Sequence, residues 1–183
     1  SLLDFSADAY LNEMGITSPQ FVSESCPQGD CGSLHCNPRP DMNDDGTDVA
    51  LFADYMKFLA PPPRGPITIS AALGELVFRS IGCVGCHRSV MTTAANPVVA
   101  LDRRTIHPWS DFLLHDMGGL GDGVTQNNAT GTLMRTAPLW GLRKITTYLH
   151  DGRAATLEQA ILAHAGQGKK ARDRFAALSS GGK

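Results

Sequence analysis

The sequence predicts a mainly α-helical chain interrupted by long irregular loops, and three observations carry that prediction. Apolar residues recur at three- and four-residue spacing in separate runs, near residues 3–14, 49–59, 73–81, 157–164 and 169–178. Between those runs the chain fills with Gly, Pro, Asn, Asp and Ser, most of all over 17–47 and 118–131. The third run delivers the chain into Ile81-Gly82-Cys83-Val84-Gly85-Cys86-His87-Arg88.

C-x-x-C-H is the attachment signature of a c-type haem. Cys83 and Cys86 stand three positions apart, so each sulfur can add to one vinyl group of the macrocycle, and His87 follows at once to ligate the iron. No second C-x-x-C supplies the other half of a zinc site. The expected architecture is therefore a c-type cytochrome domain, helices packed around one covalent haem. The sequence divides into 1–64, a helix, a cysteine-containing loop and a connector helix, and 65–183, the haem domain.

In chain order, Leu3, Phe5, Ala7, Tyr10, Leu11 and Met14 form the first amphipathic helix, closed by Gly15. Over 17–47 periodicity is lost and another constraint is needed, which Cys26, Cys31 and Cys36 can supply. One disulfide forms among the three, the pair being open, or with His35 they make a Cys/His zinc site. Asp41-Met42-Asn43-Asp44-Asp45-Gly46 opens like a calcium loop, but Phe52 stands at position twelve, where the bidentate carboxylate belongs. Calcium remains the alternative to a turn ahead of a helix capped by Thr47 or Asp48 and carrying Val49, Leu51, Phe52, Tyr55, Met56 and Leu59. Pro61-Pro62-Pro63 ends that helix and places the boundary near Arg64.

Beyond it, Ser70 reads as an N-cap for Leu73, Leu76, Val77 and Ile81, with Gly82 as the stop. A polar stretch then leads to a short helix over 110–115. Ala137-Pro138-Leu139-Trp140-Gly141-Leu142 is an apolar cluster suited either to a haem edge or to a core. Thr156 caps a helix that runs through His164, a last helix covers 169–178, and Ser179-Ser180-Gly181-Gly182 frays.

A net charge of −2 with no basic run excludes a nucleic-acid or anionic-membrane role, and no apolar run reaches the roughly 20 residues of a membrane span. The chain begins at Ser1 without a signal peptide, which suggests a processed product or an excised fragment. Covalent haem chemistry places it in the periplasm or another exported, oxidising compartment.

The second axial position has several candidates. His164 follows Ile161 by three, Ala160 by four and Leu157 by seven, on an apolar helical face. Met117 sits in a glycine-flanked loop that can bring a thioether over the iron, with Met134 and Met91 weaker. His150 and Arg153 suit a haem propionate, whereas His107 and His115 lack comparable support.

His107-Pro108-Trp109-Ser110-Asp111-Phe112-Leu113-Leu114-His115-Asp116-Met117-Gly118, Arg135-Thr136-Ala137-Pro138-Leu139-Trp140-Gly141-Leu142, Tyr148-Leu149-His150-Asp151-Gly152-Arg153 and Leu157-Glu158-Gln159-Ala160-Ile161 together resemble the di-haem oxidoreductases, also called thiol oxidoreductases. Bacterial di-haem cytochrome c peroxidases and the MauG enzymes are more distant. Members have two c-type haem domains, and this chain, with one C-x-x-C-H, is similar to the C-terminal half. The resemblance implies an electron-receiving haem whose distal ligand is His164, where the peroxidases have Met, in preference to Met117. Arg135, Trp140, His150 and Arg153 are the further candidate haem-binding residues. The expected function is electron transfer between a redox protein donor or acceptor and an N-terminal haem domain of the same parent protein. An open-site peroxidase and a haem-bearing interaction module are the rivals.

Overall fold

The computed structural model describes residues 1–183 except 27, 28, 37, 38, 40, 127, 180, 182 and 183, and except the side chains of Ser33 and Cys36. Five α-helices dominate, with two small two-stranded sheets, so the fold is α-leaning as the sequence predicts. The chain forms two compact units, Ser1–Ala60 and Pro61–Lys183.

In the first unit, α1 (Leu2–Met14) and α2 (Thr47–Lys57) pack on each other. A capping box between Ser1 and Asp4 starts α1, and Gly15 ends it at φ 67°, a left-handed conformation that glycine adopts without Cβ strain. Ala7, Leu11, Val49 and Ala53 are the buried apolar residues, and Tyr10 lies 6.0 Å from Phe52 between ring centroids. The cap of α2 differs from the expectation of Thr47 or Asp48. Asp44 accepts from the N–H groups of Asp48 and Val49, and Asp45 accepts from that of Thr47. Carboxylates ahead of the helix reach its open N–H groups better than the first helical residues can. Asn43 Oδ1 likewise accepts from the N–H and hydroxyl of Thr17. The side-chain oxygens of Asn43, Asp44 and Asp45 in the calcium-like sequence are thus engaged in holding this turn.

Among the three N-terminal cysteines the disulfide joins Cys26 to Cys31. It consumes two thiolates of the expected zinc alternative with His35, and the third, the Cys36 side chain, lies outside the described residues, as do Ser180 and Gly182 of the expected frayed tail.

The second unit opens with α3 (Ile69–Ile81), whose N-cap is Thr68, not Ser70: the Thr68 hydroxyl accepts from the Ala71 N–H at 3.1 Å. Gly82 stops it at φ 98° and hands the chain to a 3-10 turn, Cys83–Gly85. Strands β1 (Met91–Thr92) and β2 (Thr105–Ile106) pair antiparallel, as do β3 (Leu114–Asp116) and β4 (Leu133–Arg135) in the register His115 opposite Met134. The helix expected over 110–115 does not form. Trp109 and Phe112 take φ of 51° and 58°, Asp111 turns the chain by accepting from the Leu113 N–H, and Leu114 then enters β3. The short apolar run Phe112-Leu113-Leu114 has no period long enough to tell helix from strand. Finally α4 (Leu157–Leu162) and α5 (Lys169–Ala176) pack together, with Phe175 and Ile81 buried and Arg174 donating to the Ile81 carbonyl. Thr156 caps α4 as expected, but α4 ends before His164. Among the described residues no helix is long and apolar enough to cross a membrane.

Candidate haem site

Gly82 turns the end of α3 so that Cys83, Cys86 and His87 follow within one tight turn, in which the Cys83 carbonyl accepts from the His87 N–H at 2.9 Å. Both thiols are half-buried, and burial raises their pKa above the ordinary thiol range, with the other cysteine adding for Cys83 and the Asp111 carboxylate for Cys86. In the haem-free chain both sulfurs are therefore held protonated at neutral pH.

The His87 ring is fixed from one side. Its Nδ1 lies 2.8 Å from the Trp109 carbonyl, an acceptor only, so Nδ1 carries the proton and Nε2 keeps its lone pair. Burial, and secondarily His164, lowers the His87 pKa, against the opposing pull of that carbonyl. The ring is thus held neutral, the form that binds metal. Phe78 meets it edge-on at 6.1 Å, and Trp109 meets Phe78 edge-on at 5.4 Å.

His164 lies just past the C-cap of α4 and shows the same arrangement, its Nδ1 donating to the Ala160 carbonyl at 2.8 Å. The two imidazoles stand 6.5 Å apart between centroids, with an interplanar angle of 51°. Two imidazoles sharing one metal need about 6.2 Å, from metal–nitrogen bonds of about 2 Å and a ring radius of about 1.1 Å. The centroid separation is close to that of two imidazoles sharing one metal, and the Cys83 and Cys86 thiols precede His87 in the same turn, a donor set that suits a c-type haem. Met117 and His164 both border Gly168, where a Cβ would sit 3.0 Å from Met117 Cε and 3.3 Å from His164 Cδ2.

The other expected haem neighbours make different contacts. The Arg135 guanidinium lies 6.0 Å from the Phe112 ring centroid, and Trp140 Nε1 donates to the His107 carbonyl at 2.8 Å. Arg153 pairs with Asp151 and reaches the Gly119 carbonyl, and His150 is exposed. None of these contacts is to either imidazole.

Sequence reasoning passed over one group. Asp111, with a side chain 7% exposed, accepts from His115 Nε2 at 3.0 Å, and both lie with Cys86 so that their donor atoms are within 4.8 Å of one another. Burial pushes the Asp111 carboxyl up, but the Leu113 N–H, the Thr136 hydroxyl and His115 together hold it below the usual carboxylate value. The Asp-to-His spacing of four, read as a turn of helix, concealed a pairing made across a bend. Ser110 locks that bend: fully buried, it donates to the Thr136 carbonyl at 2.7 Å and accepts from the Phe112 N–H at 2.9 Å.

Two carbonyl-locked imidazoles with paired thiols in the C-x-x-C-H turn are a donor set of the c-type haem proteins. Comparison with known proteins narrows this: the family model for di-haem oxidoreductases, described with a peroxidase-type role, matches residues 3–183. The chain belongs to the di-haem oxidoreductase family, which implies haem as its cofactor. No curated protein and no solved structure matches it.

Proposed function

We propose that the unit Pro61–Lys183 binds one covalent haem c through Cys83 and Cys86, with His87 and His164 as axial ligands, and serves as the electron-transfer half of a di-haem oxidoreductase. The observation that carries this reading is the 6.5 Å imidazole pair with both Nδ1 atoms bound to carbonyls. When bound, the haem supplies a one-electron ferric/ferrous couple. The Trp109 and Ala160 carbonyls orient the two rings and make them stronger donors by drawing on the Nδ1 protons. With both axial positions taken no position is left for peroxide.

In this reading the chain is the C-terminal, electron-receiving half, and its partners are an N-terminal haem domain of the same parent protein and a redox donor or acceptor. A single C-x-x-C-H in a family defined by two haems supports a one-haem half, and its C-terminal placement rests on the resemblance of the motifs from His107 to Ile161. The proposed compartment is the periplasm or another exported space, as covalent haem chemistry and the Cys26–Cys31 disulfide suggest. Bis-imidazole ligation stabilises the ferric state relative to His/Met, so the donor must be of low potential.

The test is the low-temperature EPR and optical spectrum of the ferric haem-loaded chain, beside His164→Met and Met117→Leu. A low-spin bis-imidazole spectrum lost only in the His164 variant is expected. A sulfur-to-iron band that disappears with Met117→Leu would overturn the ligand assignment, and a high-spin spectrum would replace the closed relay with an open-site enzyme.

A further inference from the structure

A cavity of about 250 Å³ opens on the surface of the second unit, lined by Arg64, Gly74, Glu75, Phe78, Trp109 and Leu139. Three features distinguish it from an ordinary groove. Its floor is aromatic and continuous with the proximal ligand, since Trp109 packs edge-on against Phe78 at 5.4 Å and Phe78 against His87 at 6.1 Å. Trp109 also joins the surface to His87 by its backbone, through the carbonyl that accepts the His87 Nδ1 proton. Its rim is basic. The Arg64 guanidinium stands 5.6 Å from the Trp109 ring centroid, Arg79 donates to Glu75 at 2.6 Å, and Arg143 reaches the Pro63 carbonyl at 3.1 Å beside Arg64. Arg64 and Glu75 are the charged residues of the lining and lie 3.8 Å apart, and Glu75 also pairs with Arg79 just outside it, so one carboxylate stands among three cations at this edge.

The backbone at Trp109 is strained as well. A tryptophan at φ 51° brings its Cβ too close to the carbonyl oxygen that follows. Such strain persists where the surroundings over-determine it, and here it turns the carbonyl toward His87 while the indole stays at the cavity.

We propose that this cavity is the port through which electrons reach the haem, and that its occupant is a one-electron donor protein with an acidic surface around its redox centre. The inference rests on the relay reading above and goes beyond it by naming the face, the path and the charge of the partner. The anionic surface of the donor meets Arg64, Arg79 and Arg143, which steer and orient it, and a protruding side chain fills the shallow cavity over Trp109. One electron then passes from the donor, which is oxidised, to the haem group, which is reduced. Trp109 and Phe78 lie along the path and keep their own electrons and protons, and no bond is made or broken.

The experiment uses the ferric, haem-loaded full chain with reduced plant-type ferredoxin as the acidic donor and dithionite as a small reductant. Stopped-flow reduction is measured for the unmodified chain, Arg64→Glu, Trp109→Leu and the charge control Arg103→Glu, an exposed arginine beside Asp102. Binding of oxidised ferredoxin is measured separately by calorimetry, and the potential and EPR spectrum of each variant are recorded. In Arg64→Glu, ferredoxin binding and reduction should fall by about tenfold or more at low salt and converge with the unmodified chain at high salt. The dithionite rate, potential and EPR spectrum should stay unchanged in that variant. Trp109→Leu should slow reduction at saturating ferredoxin, where any rise in Kd from the lost contact over the indole no longer limits the rate. Equal effects of Arg64→Glu and Arg103→Glu, or full-speed reduction in Trp109→Leu, would overturn the port. A high-spin spectrum in the unmodified chain would instead overturn the closed-relay reading, so the two failures are distinguishable.

Discussion

Replacing Ser110 by Ala removes one oxygen from the best-buried point of the loop that carries the proximal carbonyl. That oxygen is fully buried and bridges two backbone groups, donating to the Thr136 carbonyl at 2.7 Å and accepting from the Phe112 N–H at 2.9 Å. A typical hydrogen bond contributes about 1 kcal/mol, and a buried group left without its partner costs about 1–3 kcal/mol. Two backbone groups lose a partner here, so the loss should be about 2–3 kcal/mol. Phe112 is held at φ 58° by the same bond, so its release also lets the adjoining turn relax and moves the Trp109 carbonyl that fixes His87. Urea unfolding of the ferric, haem-loaded chain, followed at the Soret band so that it reports on the second unit, should show the midpoint falling with an unchanged slope. The low-spin EPR signal should broaden in the same variant. A loss below about 0.5 kcal/mol, the range of a neutral surface substitution, with an unaltered EPR signal would refute the reasoning.

Gly168→Ala places a Cβ 3.0 Å from Met117 Cε and 3.2 Å from His164 Cβ, so ring or thioether must give by a few tenths of an ångström. The g-values of the ferric haem-loaded chain should shift, and an identical spectrum would show that Gly168 does not set the position of His164. Asp111 has a folded pKa below its unfolded value, so its contribution to stability is present above the unfolded carboxylate value and is lost as pH falls through the folded one. The difference in urea midpoint between the unmodified chain and Asp111→Asn should therefore be full near pH 6 and shrink as pH drops below about 4; a difference that does not change with pH would rule the carboxylate out as its source.

The parts of this structure legible in the sequence are those fixed by short-range chemistry. Gly15 and Gly82 stop their helices, Thr156 caps α4, and the C-x-x-C-H turn follows α3, each within a few residues of the signal that announces it. Caps two to four positions away are not legible, with Thr68 in place of Ser70 and Asp44 in place of Thr47 or Asp48, because several hydroxyls and carboxylates lie close together and only geometry selects one. The stretch 107–117 was not legible. Its course depends on positive φ at Trp109 and Phe112, positions where sequence gives no reason to expect it, and on a Ser110 bond to Thr136, 26 residues away. Asp111 and His115 were consequently assigned to one helix, whereas they pair across a bend beside Cys86. His164 illustrates the opposite case. Its placement on the face of Ala160 and Ile161 holds in one respect, since the Ala160 carbonyl accepts its Nδ1 proton, although α4 itself ends at Leu162.

These two failures and successes have one physical source. A ligand that is a side chain on regular structure is visible because its neighbours at three and four residues are known in advance. The groups that orient such ligands are backbone carbonyls, which every residue has, so composition says nothing about which carbonyl will be used. In this chain one of the two orienting carbonyls comes from a helix and the other from a strained loop residue. The helical one follows from α4 once His164 is singled out. The loop one exists only because Pro108 and Ser110, both fully buried, pin the chain on either side of Trp109 and hold it at φ 51°. The strain at Trp109 is thus balanced by packing at its two neighbours, and the same short segment fixes the His87 tautomer, places the indole at the surface cavity and sets Asp111 beside Cys86. Changes at Pro108 or Ser110 therefore act on ligand orientation and on the aromatic path together, whereas a change confined to the Trp109 side chain acts on the path while leaving the carbonyl in place.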